Sequence, residues 1–576
     1  MGTNAPGGDK DETQTRGIHA FLTCDGYVLA EGVLESLMRR LALPLAILVA
    51  LASAAGASAT PVFLLKGHGW GHGVGMSQYG ALGRANAGQG YKQILGFYYD
   101  GTNVGQTSQT SIRVLLKSGM SSVTLRSSED FAVGDKTLAR LTDWTVVPTD
   151  DGKVRVVGKG KFGNPATAKP GAGFLRVDGL RYRGDLKIWN RGGSLAVVNV
   201  VGLQSYLYSV VPREMPSSWP LEALKAQAVA ARGYAVRAAR ADWFDIYDDT
   251  NDQVYGGLDY GSGEDPGSTD AVQATKREVL KYAGSVISAY FSSSNGGRTA
   301  ASVDTWGGQL DYLVSKHDSF DLHTSPPNPN RNWTVVLSPR ALQNRLGAAK
   351  PPADAVVTER RSGRVATARL TRPGWSQTFT DPTGPGPEWF RGVLGLRSSR
   401  FHFGVLNAVP ATSKTVCSAR LRVNVLVREA SGVTLQRRRS GSSSWADMSV
   451  TKVDAAHYFG VDRPCRATSY RLHSSAASSG PQSVQVAPKI VFSSTQPAND
   501  GLRGSVRPIS LAGQTVHLDR KRNDGTWNKN VGSAVVQSDG KWHADFNAVS
   551  GTYRARLAPP SSTGLVPGTT GEYNFN

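Results

Sequence analysis

The sequence predicts an α+β domain built mostly of short strands, followed by two small all-β, sandwich-like modules. Between 110 and 200, short stretches alternate apolar and polar residues and are separated by turns with Gly, Asp or Lys, as half-buried strands are. One Ala-rich run, at about 218–241, has the composition of the principal helix, and Ser217, Ser218 and Pro220 mark its start. From residue 409 onwards, the chain is rich in Ser, Thr and Val, and it repeats a strand pattern.

The composition is that of a globular protein with many turns. Of its 576 residues, 40% are hydrophobic and 19% are charged, and the chain contains 65 Gly and 29 Pro. Gly and Pro are suited to turns because these need a positive or a fixed φ angle. At roughly 100–200 residues per domain, this length predicts three or four domains.

The N-terminal region has the pattern of a secretory signal peptide. Two arginines precede an apolar run at 41–59 that ends in Ala-Ser-Ala, a small-residue cleavage pattern. The run is shorter than the ~20 residues of a membrane span, and a buried helix or an uncleaved anchor is the alternative. We therefore expect residues 1–59 to combine a start codon assigned too early, with Met38 as the true start, and a signal peptide. The mature protein would then be secreted, without a stable membrane span.

Cleavage after Ala59 changes both the charge and the cysteine count. The removed residues contain four basic and six acidic side chains, so the net charge rises from +20 to +22. Outside the membrane, such a basic protein meets anionic polymers of the cell envelope more readily than nucleic acid. Cleavage also removes Cys24 and leaves Cys417 and Cys465, an even pair that we expect to form a disulfide in an oxidising compartment.

The segment 60–105 contains the glycine-rich stretch GHGWGHGVGMSQYGA at residues 67–81. The stretch lacks the lysine of a nucleotide-binding phosphate loop. His68 and His72 provide two ligands, whereas a zinc site needs three or four, so we expect no metal and no other cofactor. We expect a glycine loop that closely approaches a substrate groove, with both histidines donating hydrogen bonds. Histidines packed in a core are the alternative.

The densest group of candidate functional residues lies in 197–239, where a strand leads through a proline-bounded loop into the principal helix. Glu214 stands between two prolines of this loop, and their fixed φ angles would hold its carboxylate in place, as a general acid requires. Lys225 and Arg232 are seven residues apart and therefore lie on one face of the helix. A carboxylate above two cations would suit a polar ring substrate.

A structural interpretation of the same residues is also open. Glu214 could be an anion that compensates the helix N-terminus, with Lys225 and Arg232 solvated. A helix N-terminus lowers the pKa of a carboxyl, whereas a general acid needs a raised pKa. Desolvation by Met215, Trp219 and the substrate would then be required to raise it.

The last part of the chain repeats a short pattern. The stretches VTLQRRRSGSSSW and VHLDRKRNDGTW align, and a Tyr-Arg pair follows each of them. We therefore predict two β modules, at 409–475 and 488–576, joined by a linker at 476–487. The three arginines at 437–439 would either bind wall polymers or form the solvated face of a spacer.

Several stretches resemble a family of bacterial cell-wall proteins. The run VVNVVGLQSYLYSVVPREMPSSWPLEALKAQAVAARGYA is similar to the stage II sporulation protein D / amidase-enhancer (SpoIID/LytB) family. YFSSSNGGRTAASVDTWGG, LDYLVS, SGRVATARL and RGVLGLRSSRFHF resemble later motifs of the same domain. The resemblance covers residues 110–405 and implies a catalytic domain at 106–408.

The stretch GHGWGHGVGMSQYGA is a signature of the same family, in which it commonly follows the catalytic region. Here it comes first, so the arrangement resembles a circular permutation. Such a change is easy when the ends of a domain lie close together. We therefore expect 62–102 to pack beside 395–405 and to complete the domain.

The resemblance implies a lytic transglycosylase that cleaves peptide-poor peptidoglycan strands. Cleavage between N-acetylmuramic acid and N-acetylglucosamine would leave 1,6-anhydro ends, with Glu214 as the acid and base. Lys225 and Arg232 would bind sugar oxygens or the lactyl carboxylate. Gln227 and Tyr290 are further candidates for the substrate groove.

The resemblance leaves a second function open. Other members of the family are non-catalytic enhancers of an N-acetylmuramoyl-L-alanine amidase, so a wall-binding modifier is the alternative. Some members bind zinc through Cys and His, but the mature sequence has no Cys before Cys417. We expect peptidoglycan glycan strands as the partner, with a wall amidase and anionic wall polymers as further candidates.

Overall fold

The computed structural model describes residues 60–259, 264–380, 388–496 and 501–575. The predicted signal peptide, the expected start at Met38 and Cys24 lie outside these ranges. Within them, no helix is long and apolar enough to cross a membrane. Strands predominate over helices, which agrees with the predicted α+β class.

The first part of the described chain forms two antiparallel sheets and two helices. Its elements are β1 (Val62–Gly67), β2 (Met76–Ser77), α1 (Gln78–Asn86), α2 (Tyr91–Tyr98), β3 (Asn103–Gln106), β4 (Ser111–Met120), β5 (Val123–Ser127), β6 (Phe131–Val133), β7 (Lys136–Leu138), β8 (Trp144–Pro148), β9 (Val154–Val156), β10 (Gly160–Phe162), β11 (Ala166–Lys169), β12 (Leu175–Val177), β13 (Leu180–Tyr182), β14 (Asp185–Arg191) and β15 (Ser194–Gly202). One sheet has the strand order β10-β9-β8-β5-β12-β13, and the other contains β4-β15-β14-β11-β6-β7. Leu186 and Ile188 of β14 are buried and their neighbours are not, so the predicted alternation is observed.

Residues 203–403 contain most of the helices. Their elements are α3 (Leu203–Glu214), α4 (Leu221–Arg237), β16 (Ile246–Tyr247), α5 (Pro266–Ala274), β17 (Glu278–Tyr282), β18 (Ser285–Val286), β19 (Phe291–Ser292), α6 (Ser302–Trp306), β20 (Trp333–Leu337), α7 (Pro339–Leu346), β21 (Asp354–Arg361), β22 (Arg364–Arg372), β23 (Trp375–Thr380) and α8 (Glu388–Leu394). β17 pairs with β3 and β18, and β21-β22-β23 form a separate sheet.

The remaining residues are almost entirely strands. They form β24 (Phe401–Pro410), β25 (Lys414–Val416), β26 (Leu421–Arg428), β27 (Thr434–Arg439), β28 (Ala446–Met448), β29 (Thr451–Lys452), β30 (His457–Asp462), β31 (Thr468–His473), β32 (Gln482–Ala487), β33 (Lys489–Phe492), β34 (Leu502–Arg507), β35 (Thr515–Lys521), β36 (Trp527–Val535), β37 (Lys541–Ala544), β38 (Gly551–Leu557), β39 (Gly568–Thr569) and β40 (Tyr573–Phe575).

The early strand β1 completes a sheet made of late parts of the chain. It lies between β20 and β24 and is antiparallel to both, with Phe63 opposite Leu337 on one side and Val405 on the other. Most side chains of β1 are buried, as those of an inner strand are. The start of the segment 62–102 therefore lies beside the end of 395–405, as expected, through the pairing of 62–67 with 401–406.

The principal helix is α4, which occupies most of the predicted 218–241. The predicted serine cap is wrong, because Pro220 is the N-cap and no side chain caps the helix. Pro220 fits this place because it has no N–H group to satisfy. The fully buried alanines of α4 let the helix pack closely against its neighbours.

The first β module shares a sheet with the central domain. This sheet has the order β20-β1-β24-β26-β30-β29, so it crosses the predicted boundary at 408/409. The predicted linker at 476–487 is wrong, because it contains β32, which pairs with β31 and β25. Its Ser-rich composition suggested a linker, but Val484 and Val486 alternate into the core and are fully buried.

The internal repeat of the two modules is visible in their strand registers. In each module, the strand with the Tyr-Arg pair lies antiparallel to the strand before the turn, and the tyrosine is buried. The arginine of each pair stacks on the tryptophan after the turn, with Arg471 4.2 Å from the ring centre of Trp445 and Arg554 4.2 Å from that of Trp527. The repeated residues therefore serve the same packing in both modules.

The structure joins Cys417 and Cys465 in a disulfide. Cys417 is fully buried and belongs to a core cluster with residues of the second module, among them Val506 and Leu518. The disulfide thus ties the edge of the first module to the core of the second.

Candidate active site

Glu214 is the last residue of α3, not part of a loop as the two prolines suggested. Leu203, Tyr206, Leu207 and Val210 follow the spacing of a buried helix face, and this signal is present in the sequence. A proline near the end of a helix forfeits a single backbone hydrogen bond, and its φ angle suits the helix. The apolar face therefore outweighs the proline, and Glu214 is carried on a packed helix.

The carboxyl of Glu214 is held by two donors. The side-chain amide of Gln78 donates to Oε2 over 3.1 Å, and the backbone N–H of Val254 donates to Oε1 over 3.4 Å. Burial raises the pKa of Glu214, and these two hydrogen bonds oppose that rise. The negative end of the α3 dipole acts in the same direction as burial. The predicted conflict with a helix N-terminus does not arise.

The glycine-rich stretch at 67–81 delivers side chains to this site. Ser77 caps α1 by accepting from the N–H of Gly80, and this fixes the first turn on which Gln78 stands. The ring of Tyr79 packs against that of Trp219 with 5.0 Å between centroids. From the sequence, only the histidines of this stretch were predicted as site residues. Gln78 and Tyr79, a polar and an aromatic residue outside the glycine run, were not predicted.

Two buried aspartates, Asp318 and Asp321, hold the same stretch in place. The hydroxyl of Ser77 donates to Asp321 over 2.5 Å, and Arg84 of α1 pairs with Asp318 at 3.2 Å. Ser294 also donates to Asp321, over 2.9 Å. These bonds connect α1 to the segment after β19 and so hold Gln78 in register with Glu214.

The two histidines have structural contacts. His72 accepts at Nδ1 from the N–H of Val74 over 2.9 Å and also hydrogen-bonds to the backbone of Phe291. Burial lowers the pKa of His72 to about 4, so the ring is neutral. His68 bonds through Nδ1 to the carbonyl of Arg331 at 2.7 Å. These contacts fit the packing alternative, and the described residues contain no group of three or more possible metal ligands.

Tyr290 belongs to a cluster of rings. Its centroid lies 4.6 Å from that of Trp306, 5.7 Å from that of Tyr234 and 6.3 Å from that of His72. Trp306 is 43% exposed, so the cluster presents an aromatic face to solvent. Tyr290 was predicted from the sequence as a groove residue. Trp306 was not, although it lies in the same motif, YFSSSNGGRTAASVDTWGG.

Arg232 lies inside the domain and does not reach a surface. It is fully buried, and its guanidinium donates to the side chain of Gln204 over 3.1 Å and to the carbonyl of Glu278 over 2.9 Å. Burial lowers the pKa of Arg232 to about 10. The structure therefore contradicts a sugar contact, because α5 and β17 cover this end of the helix face.

The other two candidates on α4 differ from each other. Lys225 is partly exposed and pairs with Glu222 at 2.7 Å, and Glu222 also accepts from the N–H of Tyr91 over 2.7 Å. Gln227 is fully buried, and neither the oxygen nor the nitrogen of its amide has a hydrogen-bond partner among the residues that the structure describes. Of the three helix candidates, Lys225 therefore remains accessible to a ligand.

Comparison with known proteins identifies the domain around this geometry. Residues 191–282, which include α3, Glu214 and α4, match the family described as Stage II sporulation protein (SpoIID). The central domain of this chain is therefore similar to the SpoIID family over these residues, and we call it the SpoIID domain after that match. Gln78 lies outside the matched residues, so the fold brings it to the SpoIID domain from the N-terminal segment.

Proteins similar to this chain include an amidase enhancer, a stage II sporulation protein D and an uncharacterized protein. An amidase enhancer of Bacillus subtilis (strain 168) is 36% identical over 209 residues, which are 35% of this chain and 28% of that protein. A stage II sporulation protein D of Bacillus amyloliquefaciens is 33% identical over 225 residues, 36% of this chain and 61% of that protein. An uncharacterized protein of Brachyspira hyodysenteriae is 31% identical over 245 residues, 40% of this chain and 64% of that protein. The chain thus spans 28% to 64% of the length of these relatives.

Solved structures that align with part of the chain include fragments of titin. A chimeric titin tandem covers 29% of this chain at 15% identity, with a TM-score of 0.12. Two titin domains in another structure cover 29% at 11% identity, with a TM-score of 0.16.

Proposed function

We propose that this protein is a secreted lytic transglycosylase that cleaves peptidoglycan glycan strands, with Glu214 as its acid and base. The observation that carries the proposal is a carboxyl with a raised pKa, oriented by Gln78 and Val254. The names of the relatives, amidase enhancer and stage II sporulation protein D, support a role at the cell wall.

The proposed reaction needs one carboxyl group. Protonated Glu214 gives its proton to the glycosidic oxygen as the bond to the anomeric carbon of N-acetylmuramic acid breaks. The carboxylate then takes the proton of the muramic acid C6 hydroxyl, whose oxygen attacks that carbon and closes the 1,6-anhydro ring. Glycoside hydrolases use a second carboxyl for water or for a covalent intermediate, but here the substrate supplies the nucleophile.

The surroundings of Glu214 suit both steps. Burial favours the protonated acid, and the donors on Gln78 and Val254 stabilise the carboxylate that follows. In the same domain, the ring of Tyr290 and the exposed face of Trp306 form an aromatic surface on which we expect sugar rings to pack. Lys225 is the candidate partner for the lactyl carboxylate.

The alternative is a non-catalytic protein that binds the wall and enhances an N-acetylmuramoyl-L-alanine amidase. The observation that favours it is the name of the amidase enhancer relative, which is 36% identical over the matched residues. In this alternative, the central domain binds glycan without cutting it, and the amidase is a separate partner.

The experiment compares the protein spanning residues 60–576 with its Glu214→Gln variant on peptide-stripped glycan strands. Mass spectrometry of the products is expected to find 1,6-anhydromuramic ends with the unaltered protein and at least a thousandfold less with the variant. Glu359→Gln is the matched control, since Glu359 is an exposed carboxyl on β21. Reducing-end products would indicate a hydrolase. Bound but uncut glycan with both proteins would favour the enhancer.

A further inference from the structure

A cleft of about 260 Å³ opens on the outer face of the shared sheet, in the first β module. It lies where β24, β26 and β30 run side by side. On β26, Val423 and Val425 enter the module core, so Asn424 and Leu426 face the other way. We call it the Asn407 cleft, after a residue of β24 that lines it.

Asn407 is an unusual side chain for such a place. It is only 6% exposed, yet its Oδ1 has no hydrogen-bond partner among the described residues. Buried polar atoms are almost always paired, because an unpaired one forfeits its hydrogen bonds to water. Asn407 stands opposite Leu426, which in turn stands opposite His457, so one row of the sheet leads from the unpaired amide to an imidazole.

Polar side chains around Asn407 are held in fixed positions. Oδ1 of Asp454 lies 2.9 Å from Nδ1 of His457, to which it is hydrogen-bonded. The other ring nitrogen, Nε2, has no hydrogen-bond partner among the described residues. Arg422 lies 4.0 Å over the ring of Phe459 and donates through Nε to Asn424 over 3.0 Å. The terminal nitrogens of Arg422 remain available, and a guanidinium of this kind recognises carboxylates.

We propose that the Asn407 cleft binds a sugar unit of a wall glycan that carries both an acetamido group and a carboxylate. The amide of Asn407 carries one acceptor oxygen and two N–H donors, which match the N–H and the carbonyl of an acetamido group. Arg422 supplies the charge for a carboxylate, and the exposed side chains of Val409 and Val453 supply apolar surface. The choice of a peptidoglycan sugar rests on the proposed function. The cleft lies outside the SpoIID domain and would hold a strand at a second point, which strengthens binding to a polymer.

The test titrates the protein spanning residues 60–576 with N-acetylmuramic acid, a monosaccharide that offers no glycosidic bond to cut. The NMR signals of the His457 ring, assigned with His457→Gln, are expected to shift and to saturate. Asn407→Ala and Arg422→Ala are each expected to weaken binding roughly five- to tenfold, the effect of one hydrogen bond or ion pair. Arg466→Ala is the matched control, since Arg466 is an exposed arginine of the same module that does not line the cleft.

Three outcomes would overturn the proposal. One is no saturable shift of the His457 signals at tens of millimolar sugar. Another is an equal loss with Arg422→Ala and Arg466→Ala, which would mean diffuse charge attraction. The third is a stronger response to inorganic phosphate than to the sugar, which would mean an anion site. Cleavage of glycan strands depends on Glu214 and the titration does not, so a failure of the proposed function and a failure of this proposal are distinguishable.

Discussion

At the residue scale, two opposing effects act on the carboxyl of Glu214. Burial raises its pKa, and the hydrogen bonds from Gln78 and Val254 lower it, with burial the larger effect. A carboxyl that first donates and then accepts a proton needs these two effects to oppose each other. It works poorly if either its protonated or its ionised form is strongly favoured. Gln78 is the only one of the two donors that a side-chain substitution can remove.

Gln78→Ala is expected to raise the pKa of Glu214, because a donor to the carboxylate is lost. The protonated acid then persists to higher pH, so the alkaline limb of the activity profile should move upward. The maximal rate should fall roughly tenfold, since the carboxylate loses one hydrogen bond that orients it. Rates measured across pH 4–9 check this, with Gln106→Ala, an exposed glutamine on β3, as the control. An unchanged profile would contradict the role given to Gln78.

Glu214→Gln is expected to stabilise the protein at neutral pH. The pKa of Glu214 is higher in the folded state than its ordinary value of 4.5, so the folded state binds more protons between those two values. Stability contributed by this group is therefore lost as pH rises through the folded pKa, and a glutamine, which resembles the protonated acid, avoids the loss. The variant should have the higher melting temperature at pH 7, and the difference should shrink below pH 4.5. Equal melting temperatures at pH 7 would argue against a buried carboxyl.

At the scale of elements, the glycine stretch before α1 is shaped by close backbone contact. Gly75 has a φ of +70°, and a Cβ there would lie 2.0 Å from the carbonyl oxygen of Tyr290. The chain can therefore pass β19 closely enough for β2 to pair with it in parallel. The glycines thus place β2 and α1, and through them Gln78.

Gly75→Ala is expected to cost more than about 3 kcal/mol of unfolding free energy, because a left-handed φ and a steric clash act together. Gly88→Ala is the matched control, since Gly88 has a φ of +81° and no atom within 4 Å of an added Cβ. It should cost about 1 kcal/mol. Urea unfolding of both variants measures the two values. Similar losses would mean that backbone conformation alone explains the glycine.

At the scale of the whole molecule, the β modules are built into the protein rather than attached to it. The sheet that contains β1 and β24 continues into the first module, and the disulfide packs in the core of the second. The described residues after 59 accordingly belong to one compact unit. Changes in the modules should therefore alter stability more than the chemistry at Glu214.

Replacing Cys417 and Cys465 together by alanine is expected to lower the unfolding free energy by about 4 kcal/mol, the chain-entropy value for a separation of 48 residues. The lost protection should appear first in the two β modules, and hydrogen exchange measures it there. Cleavage of short glycan strands at 25 °C should be unchanged, because the disulfide does not contact the SpoIID domain. A reducing agent should have no further effect on this variant. A loss of cleavage that accompanies a folded variant would contradict this separation.

The sequence predicted much of the fold and three residues of the candidate site, Glu214, Lys225 and Tyr290. Alanine content located α4, and alternation located several strands between 110 and 200, because these signals are local. The helix of Glu214 was missed because two prolines were weighed above an apolar face. Arg232 was assigned to the groove because helical spacing shows which residues share a face, but not which neighbours cover that face.

What the sequence by itself determined was the family motif around Glu214, the Ala-rich helix, the repeat of the β modules and the pairing of the two remaining cysteines. Each follows from residues close in the chain or from a short count. Only the tertiary structure decided that Gln78 donates to Glu214 and that Arg232 is buried. It also decided that Asn407 lines a cleft and that its Oδ1 has no hydrogen-bond partner among the described residues. These depend on contacts between residues far apart in the chain, where burial and hydrogen-bond geometry are set by packing and not by local pattern.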